Sequence, residues 1–260
     1  MAPIGAEYDP WMDLRERSSN ASSRHPWELV RAKFFERLLA DHGMLGARRW
    51  LDVGAGDAWF AVELLARLPA DASITAWDIN YAPDDVGALD TAGGRVVLAS
   101  ERPTERFDRV MLLDVIEHVE DDHEFLTGVV DDLLESSGVV LISVPAYQSL
   151  FSTHDTALGH YRRYTPAQLR SVAEGAGLQV VAHGGLFASL LGARGLTKLR
   201  ERVSNPDPDW TGVGAWSGGP MKTRAIVAAL SADATVGRVL AQRRLPLPGL
   251  SCWVLCTRRP

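Results

Sequence analysis

Residue types suited to chemistry fall in three places along the chain. Asp52-Val53-Gly54-Ala55-Gly56-Asp57 directly follows an apolar start at Leu51, and Asp78-Ile79 closes the apolar run Ile74-Thr75-Ala76-Trp77. Glycines at 54 and 56 let the backbone turn tightly and approach a ligand, while a carboxylate ending the second strand can accept hydrogen bonds from both hydroxyls of a ribose. The third place is His154-Asp155 with Gly159-His160-Tyr161-Arg162-Arg163-Tyr164-Thr165. There, two imidazoles able to move protons near neutral pH share a loop with a carboxylate and two guanidiniums. The chemistry implied is nucleotide binding beside proton transfer.

Such groups need strand ends to hold them. The pattern predicts a strand over 48–53, a helix over 57–68, a strand over 73–78 and a short helix or turn near 83–90. Strands follow over 95–99 and 107–113, then a helix over 121–135 and a strand over 138–144. This alternation predicts a mostly parallel sheet with helices on both faces. A helix is also expected from Pro26 to about His42, where Leu29, Val30, Phe34, Leu38 and Leu39 recur at helical spacing. Thr165-Pro166-Ala167-Gln168 is a helix start, with Thr as cap, Pro at the first helical position and Gln three residues after the cap. Strands at 178–182 and 251–257 are separated by about 60 residues, far more than a hairpin needs. That stretch opens with an apolar helix near 186–203 and ends with a helix near 221–241. Its middle, Asn205 to Pro220, is rich in Pro, Gly and Trp.

A dinucleotide fingerprint requires a third glycine, and position 59 is Trp, which disfavours a nicotinamide or flavin. What remains, an acid before Gly-x-Gly and an acid ending the second strand, resembles motifs I and II of the class I S-adenosylmethionine-dependent methyltransferases; the family's usual third glycine is Ala58 here. A closer similarity spans almost the whole chain. Arg24-His25-Pro26-Trp27 with Arg31, the Gly159 to Thr165 sequence and the closing Leu245-Pro246-Leu247-Pro248-Gly249-Leu250-Ser251 resemble a bacterial subgroup whose members are predicted to act on glycans, lipids or secondary metabolites.

The resemblance implies a Rossmann-like α/β fold with a seven-stranded, mostly parallel sheet, one antiparallel edge strand and a helical lid insert before the last strand. It implies S-adenosyl-L-methionine as cofactor, held by Asp52, Gly54, Gly56, Asp57, Asp78, Ile79, Ser100, Glu101, Asp114 and Val115. The implied organisation is an N-terminal cap over 1–45, a cofactor-binding core over 46–185, an insert over 186–245 serving as lid or dimer interface, and a last strand and tail over 246–260. Methyl transfer to an oxygen of high pKa needs a general base. His154 is the first candidate and His160 the second, with Asp155 able to orient a neighbouring imidazole. Tyr161, Arg163 and Trp27 are the candidate acceptor contacts, although Arg162 or Arg163 could instead pin the loop through a carboxylate. Glu117-His118 lacks the spacing of a metal-binding helix, and Glu120, Asp121 and Asp122 read as a helix start, so no metal is expected. The competing functions are transfer to carbon or nitrogen and a partner protein that binds the cofactor without turnover.

Bulk properties bound these readings. Hydrophobic content of 46% and charged content of 23% are ordinary for a globular protein. A net charge of −6 gives no reason to expect a nucleic-acid partner. Cys252 and Cys256, four apart on one strand, are too distant for a local disulfide and are expected as core thiols. The expected setting is cytoplasmic, with a small-molecule acceptor, no membrane span and a possible homodimer.

Overall fold

In a computed structural model of the protein, the described residues are 24–91, 93–192, 194–196, 216 and 218–259. The elements are α1 (Pro26–Asp41), β1 (Arg49–Val53), α2 (Trp59–Leu65), β2 (Ser73–Trp77), β3 (Gly87–Thr91), β4 (Gly94–Ala99), β5 (Phe107–Leu113), α3 (Asp122–Gly128), β6 (Leu134–Pro145), α4 (Thr153–Ala157), α5 (Pro166–Gly175), β7 (Leu178–Leu186), α6 (Pro220–Gln242) and β8 (Ser251–Arg258). The strands form one sheet in the order β3-β4-β2-β1-β5-β6-β8-β7. β4, β2, β1, β5 and β6 run parallel, and β8 lies antiparallel to both β6 and β7.

The sheet is double-faced because its strands alternate. Met111, Leu141, Trp253 and Leu255 bury on the face covered by α1, α2 and α6, together with Phe34, Phe35, Leu38 and Leu64. Their neighbours Val110, Leu112, Val140, Ile142, Cys252, Val254 and Cys256 bury on the other face, against Leu126, Leu169 and Ala173 of α3 and α5. Period-two alternation in every central strand is what feeds two cores from one sheet. Both cysteines are free and buried, and burial pushes each thiol up to about 12.

The mostly parallel architecture agrees with the sequence reading, and the strand count differs. The sheet has eight strands, because residues 87–91, expected as helix or turn, pair antiparallel with β4 from Gly87↔Leu98 to Thr91↔Gly94. Gly94, with φ of +130°, sits at the reversal, and Thr91 Oγ1 accepts from Gly93 N at 3.2 Å. β3 is exposed along its whole length, so it lacks the buried face that periodicity detects. The helix expected to run to 135 ends at Gly128 and passes through one wide π turn, Val129–Leu133, into β6. β7 extends to Leu186, four residues past its expected end. The Asn205-Pro206 to Gly214 stretch, Trp210 and the later part of the apolar helix expected over 186–203, residues 197–203, lie outside the described residues.

α6 bears on the expectation of no membrane span without overturning it. By length and composition alone this 23-residue helix could cross one, with a mean hydropathy of 1.2 over its best window. Two charges along it find partners on neighbouring elements at the surface: Arg238 pairs with Asp41 of α1, and Asp233 accepts from Ser189 N at 3.0 Å and Oγ at 2.7 Å. Leu230 and Ala234 bury against the sheet face.

The Thr165 cap forms as expected. Its Oγ1 accepts from Gln168 N at 3.2 Å, while Gln168 Oε1 accepts from Thr165 N at 2.9 Å. Thr165→Ala should therefore lower unfolding free energy in urea by about 1 kcal/mol. An unchanged midpoint would show that packing alone holds the start of α5.

Candidate active site

The glycine loop leaves β1 at its carboxyl end and is fixed to β2. Gly54 N and Ala55 N donate to Trp77 O at 2.8 and 3.3 Å, and Gly56 N donates to Asp78 Oδ2 at 2.9 Å. Gly54 (φ +63°) has a packing reason to lack a side chain, since a Cβ would stand 2.8 Å from Cγ2 of Val115. Gly56 (φ +54°) has none: a Cβ there would meet no protein atom within 4 Å, so its open side is free for a ligand. Ala58, where the family carries glycine, is also left-handed, with φ of 57°.

Asp78 is buried, and its Oδ1 accepts from Asn80 N at 2.9 Å and Nδ2 at 3.0 Å. A carboxylate offers about four lone-pair sites, so with the bond from Gly56 there is still capacity for a ribose hydroxyl. Ile79 beside it is 57% exposed, an apolar surface large enough to lie against a base. Asp78 N donates to Ala99 O at 3.0 Å, which brings the end of β4, with half-buried Ser100 and exposed Glu101, next to that turn.

Two arginines missed as site residues close the same mouth. Arg24 pairs with Asp57 and lies 4.3 Å over the Trp59 ring. Arg31 pairs with Asp114, which ends β5 in a left-handed conformation (φ 61°), and lies 4.9 Å from the Trp27 ring centre. The signal was available: Trp27 and Arg31 are four residues apart, hence on one helix face. Asp57 also accepts from Trp59 N at 3.1 Å, tying the loop to the start of α2.

Asp52, fully enclosed at the end of β1, is the electrostatic centre. Burial pushes its carboxyl up to about 7; Arg31 pulls it down, and Asp78 and Asp57 add to the rise. A cavity of about 280 Å³ lies between α1, α2 and α6, lined by Leu29, Val30, Trp59, Phe60, Leu64 and Val227.

The histidine loop is organised by Asp155, which is completely buried at the start of α4. Its Oδ1 meets His160 Nδ1 at 3.0 Å and Arg163 Nε at 2.7 Å, and its Oδ2 accepts from Ser152 N at 2.9 Å. Burial would raise this carboxyl, yet the bonds from His160 and Arg163 hold it well below the usual carboxylate range. The orienting role expected of Asp155 therefore falls on His160. Arg163 is corrected: its side chain is buried, pinning Asp155 and donating to Ala146 O at 3.4 Å, so it is not presented to an acceptor. Arg162 pairs with Asp122 at 3.1 Å, and Tyr161 is 51% exposed. His154 stands exposed on α4, and no hydrogen bond to a described residue holds its imidazole. Desolvation, followed by the nearby Arg194, lowers its pKa, so it is neutral and able to accept a proton at physiological pH.

Glu117 and His118 stand in a buried 3-10 turn after β5, followed by the expected helix start, in which Asp121 Oδ1 caps Glu124 N at 2.9 Å. Here the loop and the turn meet: Tyr161 N donates to Glu117 O at 2.8 Å, and the His118 and His160 rings stack edge-on with centres 4.5 Å apart.

A parallel α/β sheet whose glycine turn and acidic strand ends converge between β2 and β5 is the frame of a Rossmann-like nucleotide-cofactor enzyme. The chain belongs to the methyltransferase-domain family, whose profile matches residues 15–183. It is a methyltransferase, and its cofactor is S-adenosylmethionine. Among solved structures it is similar to a putative sarcosine dimethylglycine methyltransferase from Galdieria sulphuraria, at 18% identity and TM-score 0.53 over 89% of this chain and 86% of that one. It is also similar to the cyclopropane synthase MmaA2 from Mycobacterium tuberculosis, at 13% identity and TM-score 0.54 over 98% and 99%. Phosphoethanolamine N-methyltransferase 2 from Haemonchus contortus, in complex with S-adenosyl-L-methionine, matches at 14% identity and TM-score 0.53, over 96% of this chain but 57% of that one. At these identities the likeness is one of fold. No curated protein sequence matches the chain.

The raised Asp52 carboxyl carries a pH signature. A folded pKa of about 7 against an ordinary 3.8 gives stability that is present below about pH 4 and lost as pH rises through 7. Between about pH 5 and about pH 8 the wild type should lose on the order of 2–3 kcal/mol from this group. In Asp52→Asn that component should vanish from urea denaturation measured at both pH values, and parallel pH dependence in the two proteins would refute the assignment.

Proposed function

We propose that the protein transfers a methyl group from S-adenosylmethionine to a hydroxyl of a small-molecule acceptor, with His154 taking the proton. The carrying observations are an open glycine turn at Gly56 and, in the loop that follows β6, a neutral imidazole at His154 with no hydrogen bond to a described residue. Fit to the cofactor is supported by the capacity left on Asp78, the exposed face of Ile79 and the free side of Gly56. In this reading Gly54 and Val115 shape the loop floor, Ser100 and Glu101 border the base, and Asp57 and Asp114 fix its opposite end. The carboxylate of an amino-acid-bearing cofactor would find cations in Arg24 and Arg31, and its ammonium would find acids in Asp52, Asp57 and Asp114. When bound, S-adenosylmethionine supplies a methyl already activated on a sulfonium, so placement does most of the remaining work.

For the acceptor, Trp27 and Tyr161 offer aromatic faces, and the cavity lined by Leu29, Phe60 and Val227 favours an acceptor with an apolar portion. The insert ending in α6 serves as the lid, and its docking on α1 sets that helix over the acceptor. His154 accepts the hydroxyl proton as the new bond to carbon forms. Asp155, Arg163 and Ser152 hold α4 so that this imidazole keeps its place.

Two substitutions separate binding from turnover. Asp78→Ala should weaken S-adenosylmethionine binding at least tenfold in calorimetry, and unchanged affinity would remove the ribose role. His154→Ala should retain that affinity while release of S-adenosylhomocysteine, assayed across hydroxylated metabolites, glycans and lipids, falls about 100-fold or more. Equal turnover would remove His154 as the base.

A further inference from the structure

The turn after β5 and the loop after β6 come from distant parts of the sequence, and they meet at three side chains that are metal ligands by chemistry. Glu117, His118 and His160 each offer one ligand atom, and these atoms lie within 4.8 Å of one another. Glu117 is completely enclosed, and both rings are at least nine-tenths shielded from solvent. His160 is also anchored from behind, its Nδ1 meeting Asp155 Oδ1 at 3.0 Å, and the backbone of Leu158 lies beside the His118 ring. A neutral imidazole that donates from one nitrogen presents a lone pair on the other, and such backing by a carboxylate or a carbonyl is the usual support of a metal-bound histidine. Asp155 is itself fixed by Ser152 and Arg163, so the supporting shell is complete before any ion arrives.

We propose that Glu117, His118 and His160 form a binding site for a divalent cation of the zinc class, clamping the acceptor loop to the turn after β5. Two imidazoles and one carboxylate suit zinc and its borderline neighbours, whereas magnesium prefers oxygen ligands alone. Tetrahedral donors about 2.1 Å from an ion stand about 3.4 Å apart, so binding draws the trio together by roughly an ångström through side-chain rotation. Three protein donors leave a position for water or for an acceptor oxygen, the pattern of sites that take part in chemistry. The clamp has a direct route to the loop, because Tyr161 N already bonds Glu117 O at 2.8 Å. The pair Glu117-His118 looked unsuited to a metal because its third member lies 42 positions away in sequence.

Zinc binding is measurable without any knowledge of the acceptor. Full-length protein stripped with a chelator, and checked for fold by circular dichroism and for S-adenosylmethionine binding, is titrated with Zn²⁺, Mg²⁺ and Co²⁺. The expected result is one equivalent of Zn²⁺ at micromolar affinity or tighter, no saturable Mg²⁺ binding, and a Co²⁺ visible spectrum of low coordination number. Glu117→Gln, which keeps the shape of the buried side chain, and His160→Gln should each weaken Zn²⁺ binding at least tenfold and change the Co²⁺ spectrum. Absence of stoichiometric Zn²⁺ binding by folded protein would overturn the proposal, as would full affinity in both variants. Zinc binding without S-adenosylmethionine binding would instead count against the cofactor assignment and leave the metal site standing.

Discussion

The constraint on which the site depends is the crowding of acids at adjacent parallel strand ends. β1 lies between β2 and β5, so Asp52, Asp78 and Asp114 reach the same mouth, and the turn after β1 adds Asp57. Burial is the main reason that Asp52 sits near 7, and the carboxylates of Asp78 and Asp57 add to its cost of ionisation. The fold answers with two cations from one side: Arg24 on Asp57 and Arg31 on Asp114. α1 is therefore as much a part of the mouth as the glycine loop. A cofactor bearing an ammonium and a sulfonium adds positive charge where acids predominate, so its binding relieves the strain that folding creates.

A second hub governs the acceptor side. The Asp155 carboxylate is enclosed and yet ionised, since Ser152, His160 and Arg163 all bond to it. Removing one partner of such a cluster strands a buried charge, so α4 and the residues up to Tyr164 move as a unit. Tyr164 extends the unit to the neighbouring turn: its hydroxyl donates to Asp122 Oδ2 at 2.6 Å, and its ring packs in the core beneath α5. Because that unit carries His154 at one end and His160 at the other, the proposed base and the proposed cation ligand share one scaffold while facing different tasks.

Much of this was legible wherever burial imposes a period. β1, β2, β4 and β5 alternate or run apolar because both sheet faces are covered, and Thr165 to Gln168 announces α5 through local hydrogen-bonding chemistry alone. β3 was illegible because an exposed edge strand has no buried face to mark it. α3 ended early because the wide turn at Val129–Leu133 is as apolar as a continued helix. Among candidate site residues, the glycines and strand-end acids could be named from the sequence because their place is tied to position in a repeating unit. The pairings Arg24 with Asp57, Arg31 with Asp114, and Glu117-His118 with His160 join residues far apart in sequence, and only topology brings them together.

The acceptor is the least legible element for a related reason. In the proposed reading its pocket is shared with the insert, whose residues answer to a substrate and not to a sheet. The insert is nonetheless coupled to the mouth through α1. One part of that helix carries Trp27 and Arg31 toward the strand ends, Phe34, Phe35 and Leu38 bury against the sheet, and Asp41 at its end takes Arg238 and Gln242 of α6. A rigid helix anchored by its middle transmits displacement from either end. In the proposed reading, a shift of α6 that admits an acceptor would act on Arg31, and so on the carboxylate of Asp114. In the proposed reading, with α6 covering the acceptor, acceptor recognition and cofactor electrostatics would be linked through one helix, and the α1–α6 contact would bear on specificity along with the residues that touch the acceptor.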